Sequence, residues 1–118
     1  MAVYLLLQKL LFIITFIMER MNYMIKVLAH FHLKNGALPQ VKALAEELVA
    51  TTRQEDGCLQ YELLQNTENE QHIVMQEAWA SQNALEAHSA SAHFVSIVPQ
   101  IAALCEQAPE VIQYTQII

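Results

Sequence analysis

The sequence predicts an α+β domain of the ferredoxin-like kind, in which elements in the order βαββαβ build one antiparallel sheet. Three observations support this prediction. Short stretches alternate apolar and polar residues with the period of a β-strand, and longer stretches carry apolar residues at helical spacing. Turn signals at Lys34–Gly36 and at Glu55–Gly57 separate them. The resulting order matches the split βαβ arrangement, which places its helices on one face of the sheet.

The first strand is predicted over residues 24–33, and its side chains divide into two faces. The sequence does not decide which face meets the helices and would line a pocket. One face carries Ile25, Val27, Ala29, Phe31 and Leu33; the other carries Lys26, Leu28, His30 and His32.

A helix over Leu38–Arg53 is predicted next, because its apolar residues form one stripe and Pro39 suits a first turn. Two strands, Cys58–Asn66 and Gln71–Trp79, then read as a hairpin. In these strands one predicted face carries Leu59, Tyr61 and Leu63, and another carries Ile73, Met75, Glu77 and Trp79.

Two helices and a strand complete the predicted order. Ser81 is a candidate N-cap for a helix that ends near Ser89, and Ser91 is a candidate cap for the next helix. Pro99 should kink or split that second helix. The last strand is predicted over Glu110–Ile118, with Val111 and Ile117 pointing inward.

Residues 1–20 form an apolar extension ahead of a domain predicted at residues 21–118. Its core, residues 2–18, contains Gln8, Lys9 and Thr15 and is marginal for a membrane span. Three interpretations remain open: an upstream translation start, a helix docked on a membrane or partner, or a helix packed on the domain. No membrane contact is expected outside residues 2–18.

Composition excludes one class of function. The 118-residue chain has a net charge of −6, and its few lysines and arginines form no cluster. Nucleic-acid binding requires a basic surface, so it is not expected. Cys58 and Cys105 stand far apart with no ligand spacing, which indicates free thiols in a reducing, cytoplasmic compartment and predicts no metal site.

Residues 77–94 concentrate the groups that can do chemistry. An acid, an indole and two imidazoles, at Glu77, Trp79, His88 and His93, occur there among small apolar residues. If a strand and two helices bring them together, they would form an apolar chamber with proton-transfer groups in its wall.

The stretch 53–94 resembles the antibiotic biosynthesis monooxygenase (ABM) family. The resemblance rests on the turn before Gly57 and Cys58, the strand with Tyr61, and the strand that ends in Glu77-x-Trp79. It continues in the helix Ala84–His88 and in Ser91-x-His93-Phe94, and it covers roughly residues 24–118 in the same element order. Within the family the stretch is most similar to the quinol monooxygenases, and it also resembles enzymes that process a phosphorylated signalling molecule.

The resemblance implies a homodimeric α+β barrel that oxidises small aromatic, quinol-like substrates with O₂ and without a cofactor. It makes His88 the candidate base, His93 a candidate for binding a substrate oxygen and Tyr61 a candidate hydrogen-bond donor. Trp79 would form an aromatic wall. The remaining candidates for the substrate pocket are Glu77, which could also orient His88, and Phe94, Met75 and His30.

Each of these residues also has a purely structural interpretation. His88 could bond to a backbone carbonyl, Glu77 could form a salt bridge or meet a helix end, and Tyr61 could simply pack in the sheet. His30 and His32 join the pocket only if their strand face points at the helices, and otherwise belong to a dimer interface. Met75, Phe94 and Trp79 could be ordinary core residues.

Two other functions stay open at this point. An isomerase or degradation enzyme for a small phosphorylated signalling molecule could use the same histidines, although few cationic residues are available for its phosphate. A barrel of this kind could also bind a small apolar ligand without catalysis. Relatives with this fold that degrade haem typically carry an Asn near Phe31, a Trp near His88 and a haem-ligating His near Val98. None of these matches the present sequence, so haem degradation is disfavoured.

Overall fold

A computed structural model describes residues 1–21 and 23–118, without the side chains of residues 18–22. Helix α1 is followed by four strands and three helices in the order that the sequence predicts. The elements are α1 (Ala2–Met21), β1 (Ile25–His32), α2 (Leu38–Thr52), β2 (Cys58–Asn66), β3 (Asn69–Trp79), α3 (Gln82–Ser89), α4 (Ala92–Ala103) and β4 (Glu110–Tyr114).

The four strands form one antiparallel sheet in the order β2-β3-β1-β4. This confirms the predicted ferredoxin-like α+β fold. β1 lies in the centre, where Val27 pairs with Glu77 of β3 on one side and with Gln113 of β4 on the other. The register therefore places an acid and an amide beside the same apolar residue.

The core lies between α2, α3, α4 and one face of the sheet, called here the inner face. Val27, Ala29 and Phe31 of β1 are all buried on this face, which answers the question that the sequence left open. Val41 and Leu48 of α2 are buried as well, because the apolar stripe of an amphipathic helix packs against the sheet. His30 and His32 consequently lie on the opposite, outer face.

The start of β2 departs from the predicted alternation. The register between β2 and β3 shifts between Cys58 and Gln60, and Leu59 is 59% exposed there rather than sharing an inner face with Tyr61. A bulge of this type inserts one extra residue and re-aims the next side chain. Tyr61 consequently pairs with Glu77 and is buried.

Two other predictions about the C-terminal elements were wrong in part, because α4 is not split at Pro99 and β4 is shorter than predicted. α4 runs through Pro99 without a break, because Ile97 and Ile101 anchor it in the core and the carbonyl that loses its partner belongs to Val95, which is 60% exposed. Water can satisfy such a carbonyl. β4 ends at Tyr114, and Ile117 is exposed rather than inward-facing.

Helix α1 leaves its apolar side chains uncovered. All residues from Ala2 to Ile17 are exposed, and Phe12 is 74% exposed. Within this helix, Gln8 donates a hydrogen bond of 3.1 Å to the hydroxyl of Tyr4. Among the described residues, no helix is both long enough and apolar enough to cross a membrane.

Candidate functional site

A cavity of about 120 Å³ lies between the inner face of the sheet and the helices. Its wall is almost entirely apolar, with Phe31, Met75 and Phe94 among the contributors. Three groups able to exchange protons also line it: Tyr61, Glu77 and His88. Val111, which is 61% exposed, places the rim of the cavity beside β4. A small apolar chamber with a few polar groups is the usual form of a small-molecule site.

His88 lines this cavity from the last turn of α3 and is 1% exposed. Its Nδ1 lies 2.6 Å from Oε2 of Glu55. A carboxylate only accepts hydrogen bonds, so Nδ1 carries a proton and donates it to Glu55. Nε2 is buried and has no hydrogen-bond partner among the described residues. In neutral His88, Nε2 therefore holds a free lone pair.

Two opposing effects act on the pKa of His88. Burial lowers the pKa because it penalises the imidazolium, whereas the hydrogen bond and negative charge of Glu55 raise it. Burial is the larger effect, so the net pKa is lowered. His88 is accordingly neutral at pH 7, which is the form that can accept a proton.

Glu55 is the site residue that sequence reasoning missed, because it was treated only as part of a turn. The turn from α2 into β2 carries it to His88. Gly57 has φ of 81°, a conformation that favours glycine, and its carbonyl accepts a hydrogen bond of 2.8 Å from Ala80 N. The sequence did contain a signal for Glu55, because this acid stands two residues before the turn glycine Gly57 and the chain also contains the candidate base His88.

His93 joins the same carboxylate from the first turn of α4. Its Nε2 lies 3.2 Å from Glu55 Oε2 and 3.2 Å from Ser91 Oγ. Ser91 also donates to the carbonyl of His88 at 2.6 Å and accepts from Phe94 N. The N-cap of α4 thus holds the end of α3 and places both histidines around Glu55. His93 itself does not line the cavity.

Trp79 packs behind His88 and is fully buried. The two rings are 4.6 Å apart and tilted by 31°, so the predicted proximity of the indole and the imidazole is present. The cavity wall, however, contains His88 and not Trp79. Trp79 Nε1 donates to Oε2 of Glu77 at 2.9 Å. The structure therefore pairs Glu77 with the indole, and Glu55 rather than Glu77 with His88.

Glu77 and Tyr61 lie beside each other in the cavity wall on paired positions of β3 and β2. Burial raises the pKa of Glu77 to about 7, with a further rise from the charge of Glu55 and an opposing effect of the Trp79 hydrogen bond. Burial, followed by the charge of Glu77, also raises the pKa of Tyr61. Tyr61 therefore stays a phenol that can donate a hydrogen bond.

The other predicted pocket residues divide between the two faces of the sheet. Met75 and Phe94 line the cavity, and the Phe94 ring lies 5.0 Å from that of His88. His30 does not line the cavity. It belongs to the outer face, where its Nδ1 lies 3.0 Å from Nε2 of His72.

One set of side chains in the described part of the chain could hold a metal ion with its donor atoms as they stand. Donor atoms of Glu55, His88 and His93 all lie within 4.8 Å of one another. Two histidines and a carboxylate are a known ligand set for divalent ions. The short Glu55–His88 hydrogen bond already satisfies these two groups, and Nδ1 rather than Nε2 of His88 faces the carboxylate.

The sequence model of one family, described as "Antibiotic biosynthesis monooxygenase", matches residues 24–100. A protein of Mycobacterium tuberculosis named "Putative monooxygenase Rv0793" is 30% identical over 80 residues, which cover 68% of this chain and 78% of that protein. "Putative monooxygenase YcnE" of Bacillus subtilis is 32% identical over 75 residues, which cover 64% of this chain and 79% of that protein.

Solved structures agree with these sequence matches. A crystal structure titled as an antibiotic biosynthesis monooxygenase is 36% identical, with a TM-score of 0.76, and the match covers 80% of this chain and 99% of that one. A conserved protein from Methanosarcina mazei Go1 is 27% identical, with a TM-score of 0.78 and coverage of 80% and 94%. Fold and site thus define a small α+β monooxygenase domain. The chain belongs to the antibiotic biosynthesis monooxygenase family, as its resemblance predicted.

Proposed function

We propose that this protein is a cofactor-independent monooxygenase that oxidises a small aromatic hydroquinone with O₂. The single observation that carries the proposal is the pair of contacts at His88: Nδ1 is held by Glu55, and the buried Nε2 has no partner among the described residues while the ring lines an apolar cavity. This is the arrangement of an oriented general base.

The first step of the proposed reaction is proton transfer from a substrate hydroxyl to Nε2 of His88. Glu55 stabilises the imidazolium that forms, because its carboxylate accepts the hydrogen bond from Nδ1–H. Tyr61 and the protonated form of Glu77 can donate hydrogen bonds to the resulting phenolate or to the second substrate oxygen. Both residues lie in the same wall as His88.

The hydroquinone anion then transfers one electron to O₂, and the radical pair combines to form a carbon–oxygen bond. The hydroperoxide loses water, with the proton returned from His88, and leaves a hydroxyquinone. One hydroquinone and one O₂ yield one hydroxyquinone and one water, so atoms and electrons balance without a further reductant. The apolar wall keeps water from the radical pair.

The dimensions and charge of the cavity support an aromatic substrate. An engineered protein cavity of about 150 Å³ binds benzene, so about 120 Å³ suits one aromatic ring, with more room at the rim beside Val111. Among the described residues, no lysine or arginine lines the cavity, which disfavours the phosphorylated substrate of the alternative isomerase. A ligand-binding role without catalysis would leave the unpartnered Nε2 of His88 without a purpose.

The test uses reduced menadione or 1,4-dihydroxynaphthalene and follows oxygen consumption and product mass under ¹⁸O₂. We expect enzyme-dependent uptake and one ¹⁸O atom in the quinone product. His88→Ala should lower the rate by about 10²-fold or more, the range of general-base catalysis. Asn83→Ala, at an exposed position of the same helix, is the matched control. Oxygen uptake equal to the uncatalysed rate, or unchanged in His88→Ala, would contradict the proposal.

A homodimer formed through the outer face belongs to the same proposal. Leu28, Val74 and Ile112 occupy neighbouring strands of that face and are half-buried, and Leu64 and Tyr114 are each 43% exposed. Two such faces packed together would cover this apolar surface. Analytical ultracentrifugation should give a dimer for the native chain and a monomer for Leu28→Glu. A monomeric native chain at micromolar concentration would exclude this assembly.

A further inference from the structure

We propose that His30, His32 and His72 form a binding site for a divalent transition-metal ion on the outer face of the sheet. The proposed oxidation does not use this cluster, which lies on the far side of the sheet from the cavity. The proposed homodimer packs through the same face, so the monomeric Leu28→Glu variant is titrated beside the native chain to test the site within one chain. The ion is of the zinc, nickel or copper class, because imidazole nitrogens are the ligands that these ions share.

The strand register creates the cluster. His32 and His72 are directly opposite each other on β1 and β3, and His30 lies two residues before His32 on the same face. The rings of His32 and His72 are stacked at 4.6 Å, and those of His30 and His72 at 5.3 Å. Two histidines at i and i+2 on one strand and a third across the ladder can converge on one point above the sheet.

The hydrogen bonds at His72 fix which nitrogen is available. Asn66 Nδ2 lies 3.0 Å from His72 Nδ1 and can only donate, so in neutral His72 the proton sits on Nε2. That proton is shared with Nδ1 of His30 at 3.0 Å. A metal ion can replace this single proton, with both nitrogens as ligands and Asn66 still orienting the ring of His72.

The His30–His72 pair requires only a small adjustment for a tetrahedral ion. Ligands at about 2.0–2.1 Å around such an ion lie roughly 3.3 Å apart, and the His30–His72 nitrogens are 3.0 Å apart. His32 must rotate its ring out of the stack to present a nitrogen. Glu110 is exposed on β4 and pairs with His30 in the ladder, so its carboxylate would be the ligand for the fourth position.

The test is a titration of the full chain with Zn²⁺, and with Co²⁺ as a spectroscopic probe. We expect one ion per chain and visible Co²⁺ bands of a four-coordinate site. His72→Asn and His30→Asn should each weaken binding by about 100-fold or more, since even the loss of a group that only orients a metal ligand costs about 10–100-fold. All three histidines are only half-buried, so the variants should fold, which circular dichroism verifies.

His88→Gln is the matched control, because it removes a ligand from the competing Glu55–His88–His93 set and leaves the outer cluster intact. Binding that persists in His88→Gln and is lost in His72→Asn supports the proposal. Binding lost only in His88→Gln, or no binding by the native chain at 100 µM metal, roughly the weakest affinity of interest, overturns it. In either case the imidazole ¹⁵N shifts of the native protein report directly which histidines move on metal addition.

Discussion

Gly57 lies so close to Ala84 that a Cβ atom at position 57 would stand 2.6 Å from the Cβ of Ala84. This contact brings the turn before β2 against α3, and the same turn carries Glu55 to His88. Positive φ at Gly57 and close packing at Ala84 are therefore two separate requirements for glycine at one position.

Gly57→Ala should destabilise the fold and disturb the site together. A left-handed conformation costs a non-glycine residue about 1–2 kcal/mol, and overpacking adds about 1–3 kcal/mol. Gly36→Ala is the matched control, because Gly36 has φ of 78° and no described atom within 4 Å of the added Cβ. Urea unfolding should show a clearly larger loss of unfolding free energy for Gly57→Ala than for Gly36→Ala. Adding Ala84→Gly to the Gly57→Ala variant should recover part of that loss. Equal losses for both glycines would show that the contact with Ala84 carries no strain.

Glu55→Gln tests whether this carboxylate orients and strengthens His88 as a base. Gln can still accept the hydrogen bond from Nδ1, but it provides no negative charge for the imidazolium. We expect kcat for the proposed oxidation to fall by about 10–100-fold, the scale found when the carboxylate that orients a metal-bound histidine is removed. KM should change little, because Glu55 does not line the cavity.

The pH profile separates this positioning role from a structural one. Since Glu55 raises the pKa of His88, the acid limb of kcat/KM in Glu55→Gln should move to lower pH. Glu86→Gln, an exposed acid on α3, should leave both rate and profile unchanged. A lower rate with an unmoved acid limb would argue that Glu55 only supports the turn.

The fold was predictable because each strand and helix carries its own period. The alternation in β1 and the stripe in α2 both survive in the structure, and local errors occur where packing overrides a local rule. Pro99 stays inside α4 since buried Ile97 and Ile101 outweigh one lost hydrogen bond. Tyr61 turns inward beside Glu77 only through a bulge that no sequence period signals.

The candidate site was predictable only in part. His88 and Glu77 belong to elements whose inner faces the sequence indicates, so their convergence follows from the fold, whereas Tyr61 joins them only through the bulge in β2. The partner of His88 comes from a loop, where no period tells which way a side chain points. Glu55 is therefore found only once the turn at Gly57 is placed against α3.

Removal of residues 1–21 should leave the domain folded. All residues from Ala2 to Ile17 are exposed, so the domain loses little burial when they are absent. Their exposed apolar surface should instead promote association, because contiguous apolar patches of this kind are rare on monomeric soluble proteins. We expect the shortened chain to keep its thermal midpoint within about 4 °C, which corresponds to roughly 1 kcal/mol or less, and to bind less of a hydrophobic dye. A large drop in the midpoint would show that α1 supports the core.

Glu77→Gln should change how stability depends on pH. The pKa of Glu77 is raised from 4.5 to about 7 in the fold, so the folded state holds an extra proton between these values. Stability that is fully present below pH 4.5 is thus lost as pH rises through 7. The shift corresponds to on the order of 3 kcal/mol, since one pKa unit is worth about 1.4 kcal/mol.

Gln carries no such charge. The stability of Glu77→Gln relative to the native chain should therefore increase as pH rises from about 5 to about 7 and then level off, measured by urea unfolding at each pH. Glu62→Gln, an exposed acid on β2, should show no such trend. A pH-independent difference for Glu77→Gln would mean that the carboxyl ionises normally in its place beside Trp79 and Tyr61, and that it is not the protonated hydrogen-bond donor which the proposed reaction uses.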